Sequence, residues 1–290
     1  MYLFFPLISS LLYVVGALFL KQATEHRIGV WRAAFICNWM TTLFFLTLYP
    51  YEEGFKLPGN LWEPASVALL FVIGQLFTFR ALEGGDVSVV TPVLGVKVIL
   101  VAILTTWILG ETIPAKLWTG AAASCIGIGL LHTAPGSERH VNVKRTITSA
   151  LWAAICYALF DVLVIKWSPG WGIRKFLPVM LLIAGFLSFI YLPMFREPLN
   201  KIPGPARKPL FLGSFFVGLQ GLILITTIAR FGDATAINIV YSSRGIWSVL
   251  AVWGIGHWFH NKERPLGYEI LKWRLAGAAL LTSAIVMVFI

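Results

Sequence analysis

Ten apolar runs, each close to the length of a bilayer crossing, leave this chain one way to fold. They lie at 2–20, 31–50, 65–82, 87–109, 114–132, 147–165, 174–195, 210–229, 234–259 and 270–290, within 290 residues. A spanning helix takes about 20 residues, and what remains between the runs is too short for a folded extramembrane domain, which needs about 50. Charged residues make up 12% of the chain, against about 25% in soluble domains, so the runs cannot be covered by a soluble surface. The chain reads as an all-α integral membrane protein of ten transmembrane helices. Its partners are the lipid bilayer and a small molecule handled inside it. The net charge of +10 belongs to the loops, where Lys and Arg set orientation, and calls for no nucleic acid. The first run lacks a basic leader, its cations Lys21, Arg27 and Arg32 coming after it. It is read as a retained span.

The connections carry helix punctuation. Glu83-Gly84-Gly85-Asp86 and Arg230-Phe231-Gly232-Asp233 each supply a glycine to end one helix and an Asp to cap the next. They lie 147 residues apart, and the same offset pairs Thr91 with Asn238, Leu94 with Tyr241 and Lys97 with Arg244. The fifth and tenth runs match around Trp118-Thr119-Gly120 and Arg274-Leu275-Ala276-Gly277. This divides the chain into a first five-helix repeat at 1–132, a linker at 133–146 and a second repeat at 147–290. Five crossings is an odd number, so the second copy enters the membrane the other way up. Two inverted five-helix repeats are a common carrier architecture, with the site near the midplane between them.

The segment Ala81-Leu82-Glu83-Gly84-Gly85-Asp86-Val87-Ser88-Val89-Val90-Thr91-Pro92-Val93-Leu94, then Trp107-Ile108-Leu109-Gly110-Glu111-Thr112-Ile113-Pro114, then Gly120 and Gly127-Ile128-Gly129, resembles an EamA-like half of the drug/metabolite transporter superfamily. Leu12 to Lys21 resembles the superfamily's first helix. The resemblance is stronger in the first half, since the second has Ile239 in place of Pro92 and Trp258 in place of Glu111. It implies a ten-helix carrier of small metabolites. Sugar-phosphate and nucleotide-sugar carriers of that superfamily use basic residues on the helices of Lys97 and Arg244. Its small multidrug pumps carry a Glu where this chain has Tyr13, which argues against proton-driven export of cationic drugs.

Lys97 and Arg244 carry the chemistry. A cation at mid-bilayer costs about 2.5–3.5 kcal/mol on insertion scales and must meet water or a counter-charge. Two of them at equivalent places face one shared cavity and suit an anion, or else each is held by a protein carboxylate. Asp161 is the one acid well inside a run. It is either the counter-ion of one cation or a proton-coupling group. Helical spacing sets Asn238, Tyr241, Arg244 and Ser248 on one side of the ninth run, and Thr91 with Lys97 on the fourth. Gln75, Tyr13 and Tyr157 complete the expected substrate-binding set, while Asn38 and Gln220 are amides that can equally join helices.

No cofactor is expected. His257 and His260 stand three apart but without a third ligand nearby, so no metal is expected either, and Cys37, Cys125 and Cys156 read as packing residues. Gly120 with Ser124, Ala123 with Gly127, and Ser214 with Gly218 form small-residue faces for close helix contact. Loops after the odd-numbered runs hold fifteen flanking Lys and Arg and those after the even-numbered runs six, which puts the odd loops in the cytoplasm. The expectation is a secondary transporter of an anionic or zwitterionic metabolite in a bacterial inner membrane, monomeric or homodimeric and not an enzyme. Its alternatives are an exporter of amino acids or hydrophobic compounds with structural cations, and then a membrane enzyme or scaffold.

Overall fold

A bilayer offers the backbone no hydrogen-bond partner, so an apolar chain satisfies its amides within helices. The computed structural model describes residues 2–26, 28–50, 60–84, 87–131, 143–255 and 268–290, and their regular structure is helical throughout. The helices are α1 (Phe4–Glu25), α2 (Val30–Leu46), α3 (Trp62–Gly84), α4 (Val87–Gly95), α5 (Lys97–Leu104), α6 (Ala115–Leu131), α7 (Val143–Trp171), α8 (Ile173–Leu187), α9 (Gly204–Phe231), α10 (Ala234–Tyr241), α11 (Arg244–Ile255) and α12 (Tyr268–Phe289). A π-turn at Thr105–Leu109 extends α5, and a 3₁₀ turn at Ser188–Met194 extends α8.

Two of the ten crossings are broken. The fourth is α4 followed by α5, and the ninth is α10 followed by α11. Several expected spans are longer than the apolar runs: α1 continues to Glu25, α3 covers Trp62–Gly84, α7 covers Val143–Trp171, and α9 starts at Gly204. Backbone hydrogen bonding does not stop where the apolar residues do, and Lys and Arg stems can reach from a helix end to the interface. The Glu83–Asp86 turn, His257, Trp258 and His260 fall on residues whose side chains lie outside the described set.

The crossings alternate direction. On the face where α1 begins, Tyr2 meets Asp233 before α10, Trp171 at the end of α7 donates to Glu63 of α3 (2.7 Å), and Arg174 of α8 donates to the Leu48 carbonyl after α2 (3.2 Å). On the opposite face, buried Arg32 at the start of α2 donates to the Pro198 carbonyl (3.1 Å) before α9. With α1 rising from the first face and α7 from the second, the five-helix halves are inverted. Their most extensive packing is across the repeat boundary: α1 with α9, its counterpart α3 with α7, and α6 with α12.

Small residues make this packing possible. A side chain at Gly277 would stand 2.7 Å from the Gly127 carbonyl and the Leu131 amide, and one at Gly127 2.9 Å from the Gly277 carbonyl. Lipid tails are as apolar as leucine, so the stabilisation here is close van der Waals fit rather than water exclusion. Gly232 ends α9 in the left-handed region (φ 71°), its amide donating to Ile228, and Asp233 then accepts from the Ala236 amide at 3.0 Å. This is the glycine stop and Asp cap expected of the sequence.

Candidate functional site

The two breaks fall at the same place in each repeat. Lys97 is the first residue of α5, and Arg244, 147 positions on, is the first residue of α11. In the first repeat the break comes one turn past Pro92, where the Val96 amide bonds to Val93 (3.2 Å). The freed Gly95 carbonyl accepts from the Cys125 thiol of α6 at 3.2 Å. The second repeat has no proline there, and hydroxyls do the work. Ser243 pairs with Ser10 of α1 (2.9 Å) and Ser242 reaches Ser124 of α6 (3.5 Å), while the Ser243 amide bonds to Val240 (3.1 Å).

Both breaks open onto a cavity of about 290 Å³ at mid-span, walled by helices of both repeats. Of the expected set, Tyr13, Gln75, Lys97, Tyr157, Asp161, Asn238, Tyr241 and Arg244 line it. Thr91 and Ser248 do not. Thr91 lies on α4, across the break from Lys97, so the helical register that joined the two is interrupted. Ser248 follows Arg244 on unbroken α11 and still lies off the cavity. Thr41, Thr78 and Ser242 also line the cavity without having been singled out, as does Cys37, which the sequence reading took for a packing residue. Thr41 follows Asn38 by three residues and Thr78 follows Gln75 by three, the spacing that sets each pair on one helix face.

The two cations are held differently. Lys97 Nζ lies 2.7 Å from Asp161 Oδ2, which also accepts from Asn238 Nδ2 at 2.7 Å. Asp161 is buried, while the Lys97 side chain is 20% exposed. The second hydrogen of the Asn238 amide goes to the Ala234 carbonyl (2.8 Å). Arg244 has no carboxylate within ion-pair distance among the described residues. Its guanidinium carbon lies 5.0 Å from the Tyr13 ring centroid and 4.8 Å from that of Tyr241, a double cation–π contact. One long contact of 3.5 Å reaches the Tyr241 hydroxyl. Among the described residues, five guanidinium donors are thus left with one weak acceptor.

Partners fix the rings and amides in place. Tyr241 donates to Gln220 Oε1 (3.1 Å), which also accepts from Ser9 (3.0 Å). Asn38 and Gln75 exchange amide hydrogen bonds at 2.8 and 2.7 Å, and Tyr191 donates to Gln75 Oε1 (3.0 Å). The Tyr157 ring lies over Gly74, and its hydroxyl accepts from Thr78 (3.4 Å). Phe71, Phe160, Leu224 and Ile225 supply an apolar wall.

The ends of the two broken crossings differ. α10, at the first face, is buried along all eight of its residues. Its counterpart α4 is only partly buried from Thr91 to Leu94, and no residue from Arg244 to Ala251 of α11 is buried. A recess of about 390 Å³ lies at the first face, bounded by Tyr2, Glu111, Lys116, Asp233 and Thr235. Its Asp233 is engaged on both oxygens, with Tyr2 donating at 2.8 Å. Burial and the adjacent carboxylate push the Tyr2 phenol up from its usual value, so it stays a donor.

A solved crystal structure, described only as that of a protein, superposes with a TM-score of 0.76 over 99% of this chain and 95% of its own, at 14% identity. That likeness concerns the fold. The Arabidopsis thaliana protein named probable magnesium transporter NIPA9 is 29% identical over 99 residues, which are 34% of this chain and 28% of that protein. The matched stretch spans little more than a quarter of that relative. The pattern of the EamA-like transporter family matches residues 1–133, the stretch whose motifs carry the resemblance. The chain is an integral, multi-pass membrane protein of ten crossings, and its residues 1–133 match the pattern of the EamA-like transporter family.

Proposed function

We propose that this protein is a secondary membrane transporter that carries a small anionic or zwitterionic metabolite by alternating access, in a bacterial inner membrane. The observation that carries this reading is Arg244: a guanidinium at mid-span, facing a cavity, with no carboxylate against it among the described residues. A cation left so has to be satisfied by water or by cargo, and its planar donors match a carboxylate or phosphate. Lys97, Arg244 and Asp161 give the cavity one net positive charge. The family matched by the first repeat is one of transporters, which supports transport over catalysis.

The relative named as a probable magnesium transporter raises a divalent cation as cargo. The cavity argues against it here: its single lining carboxylate is tied to Lys97, and no group of three His, Cys, Asp or Glu among the described residues could hold a metal ion. Buried α10 and loosely packed α11 support a state closed at the first face and open toward the second, which the Lys and Arg count makes cytoplasmic. A second reading, an exporter of amino acids or hydrophobic compounds with structural cations, is favoured by the Lys97–Asp161 pair and the apolar wall.

Counterflow in proteoliposomes with labelled carboxylates, phosphate esters and apolar neutral compounds separates these. Accumulation of an anion that is lost in Arg244→Gln supports the first reading. Accumulation of a neutral compound unaffected by Arg244→Gln supports the second, and chemical conversion of any of them overturns both.

A further inference from the structure

Asp161 is the only carboxylate lining the central cavity among the described residues, and one of its oxygens joins both repeats. Oδ2 accepts from Lys97 Nζ, at the start of α5 in the first repeat, and from Asn238 Nδ2, in α10 of the second, each at 2.7 Å. Asp161 itself stands on α7. A single proton placed there changes three helices at once. One of them, α10, is buried along its whole length at the first face.

The other polar groups of the cavity do not share this property. Lys97 reaches Asp161 from α5, Asn238 and Tyr241 face the cavity from α10, Arg244 from α11, Tyr13 from α1 and Cys37 from α2. Tyr157 lies one turn away on α7, and α3 and α9 contribute only Gln75, Thr78 and Gln220 as polar side chains. Lys and Arg side chains have no acceptor to take up a proton, and an ionised carboxylate is acceptor-only. Asp161 is the group with a site to fill.

We propose that Asp161 is the coupling site of the transport cycle, taking up one proton with the anion. The inference rests on the anionic reading above. As a carboxylate, Asp161 ties Lys97 to α10 and holds the first face shut. A proton from the cavity water adds to it, the ion pair with Lys97 breaks, and the Lys97 ammonium turns to the negative group of the cargo, whose other partner is Arg244. The neutral acid is a weaker acceptor for Asn238, and α10 is freed to move. Charge balances: one proton and one negative charge enter together, so the loaded cavity keeps the single positive charge of the empty one. For a singly charged anion, the cycle is electroneutral.

The test follows hydrogen exchange in the 234–241 segment of the whole protein in lipid nanodiscs, corrected for intrinsic pH dependence. Infrared spectra report the C=O band of a protonated carboxyl in the same samples. On acidification, α10 exchange in the wild type rises several-fold and the band appears. Asp161→Asn exchanges at the raised level at every pH and lacks the band, while Asp161→Glu keeps the pH response. Should Asp161→Asn not fold, Lys97→Gln serves instead: without its ammonium the band appears at a higher pH than in the wild type. Arg244→Gln separates the two readings, since it loses uptake but keeps the α10 response. Wild-type exchange indifferent to pH, an Asp161→Asn protein that responds as the wild type does, or a Lys97→Gln band that does not move overturns the proposal.

Discussion

Arg244 lies 4.8 Å from the centroid of the Tyr241 ring, on the turn that opens α11, and the ring is fixed from its far end by the hydrogen bond to Gln220. Arg244, held against this ring, lines the cavity. Arg244→Gln is expected to lower anion uptake at least tenfold, about 1.4 kcal/mol, without loss of folded protein. Arg244→Lys keeps the charge but not the planar fork or the stacking, and falls between. Initial rates in proteoliposomes and a thermal melt of each variant check this; equal rates in all three remove Arg244 from the site.

The Lys97–Asp161 pair makes the opposite kind of prediction. Asp161 is the more deeply buried partner, so the two single changes differ. Lys97→Met strands a buried carboxylate on Asn238 alone and is expected to cost on the order of 3 kcal/mol. Asp161→Asn leaves Lys97 able to reach the cavity water and costs less. The double variant recovers about 1–3 kcal/mol relative to the sum of the two. Melts of the four proteins in one detergent form the cycle, and additive losses mean that the 2.7 Å contact contributes no coupling.

The ten crossings, their inversion and the pairing of Lys97 with Arg244 were legible because each rests on a local signal: apolar length, a Gly-Asp turn, a constant offset of 147. Which cation Asp161 serves was not legible, since that depends on where α7 lies between α5 and α10, and no spacing in the sequence encodes a contact across 64 residues on one side and 77 on the other. The break in the ninth crossing was hidden for a related reason. The fourth crossing was likewise read as one run at 87–109, and the ninth is held at its break by Ser10 and Ser124 from distant helices. Thr91 was misplaced by the same omission, because a helical register was carried through the point where α4 stops. Ser248 keeps its register with Arg244 on α11 and lies beyond the cavity.

Gly127 and Gly277 predict where the bundle is intolerant. A Cβ at Gly277 meets backbone atoms at 2.7 Å, which cannot rotate away. Gly277→Val is therefore expected to cost about 1–3 kcal/mol by overpacking, whereas at Gly129, where no atom lies within 4 Å of a built Cβ, Gly129→Ala is expected to be neutral or to stabilise by up to about 1 kcal/mol through helix propensity. Melting temperature and monodispersity in detergent decide it; a Gly277→Val protein that melts with the wild type means that α6 and α12 can separate without consequence.

Tyr2 tests the seal at the first face. Its hydroxyl donates to the carboxylate that caps α10, and its ring stacks on Phe231 at 4.7 Å. Tyr2→Phe keeps the stack and removes only the hydrogen bond, worth about 1.5–3 kcal/mol where an ion is the acceptor. Losing it is expected to raise first-face labelling of a cysteine introduced at Ala236 in a background without Cys37, Cys125 and Cys156. The phenol pKa is raised, so the contact's contribution is full below the free phenol's value of about 10 and declines only above it. Labelling through this contact should therefore not change between acid and neutral pH in an Asp161→Asn background. A pH-dependent rise there, or labelling of Tyr2→Phe no faster than that of the parent, shows that the seal is held by α10 packing rather than by Tyr2.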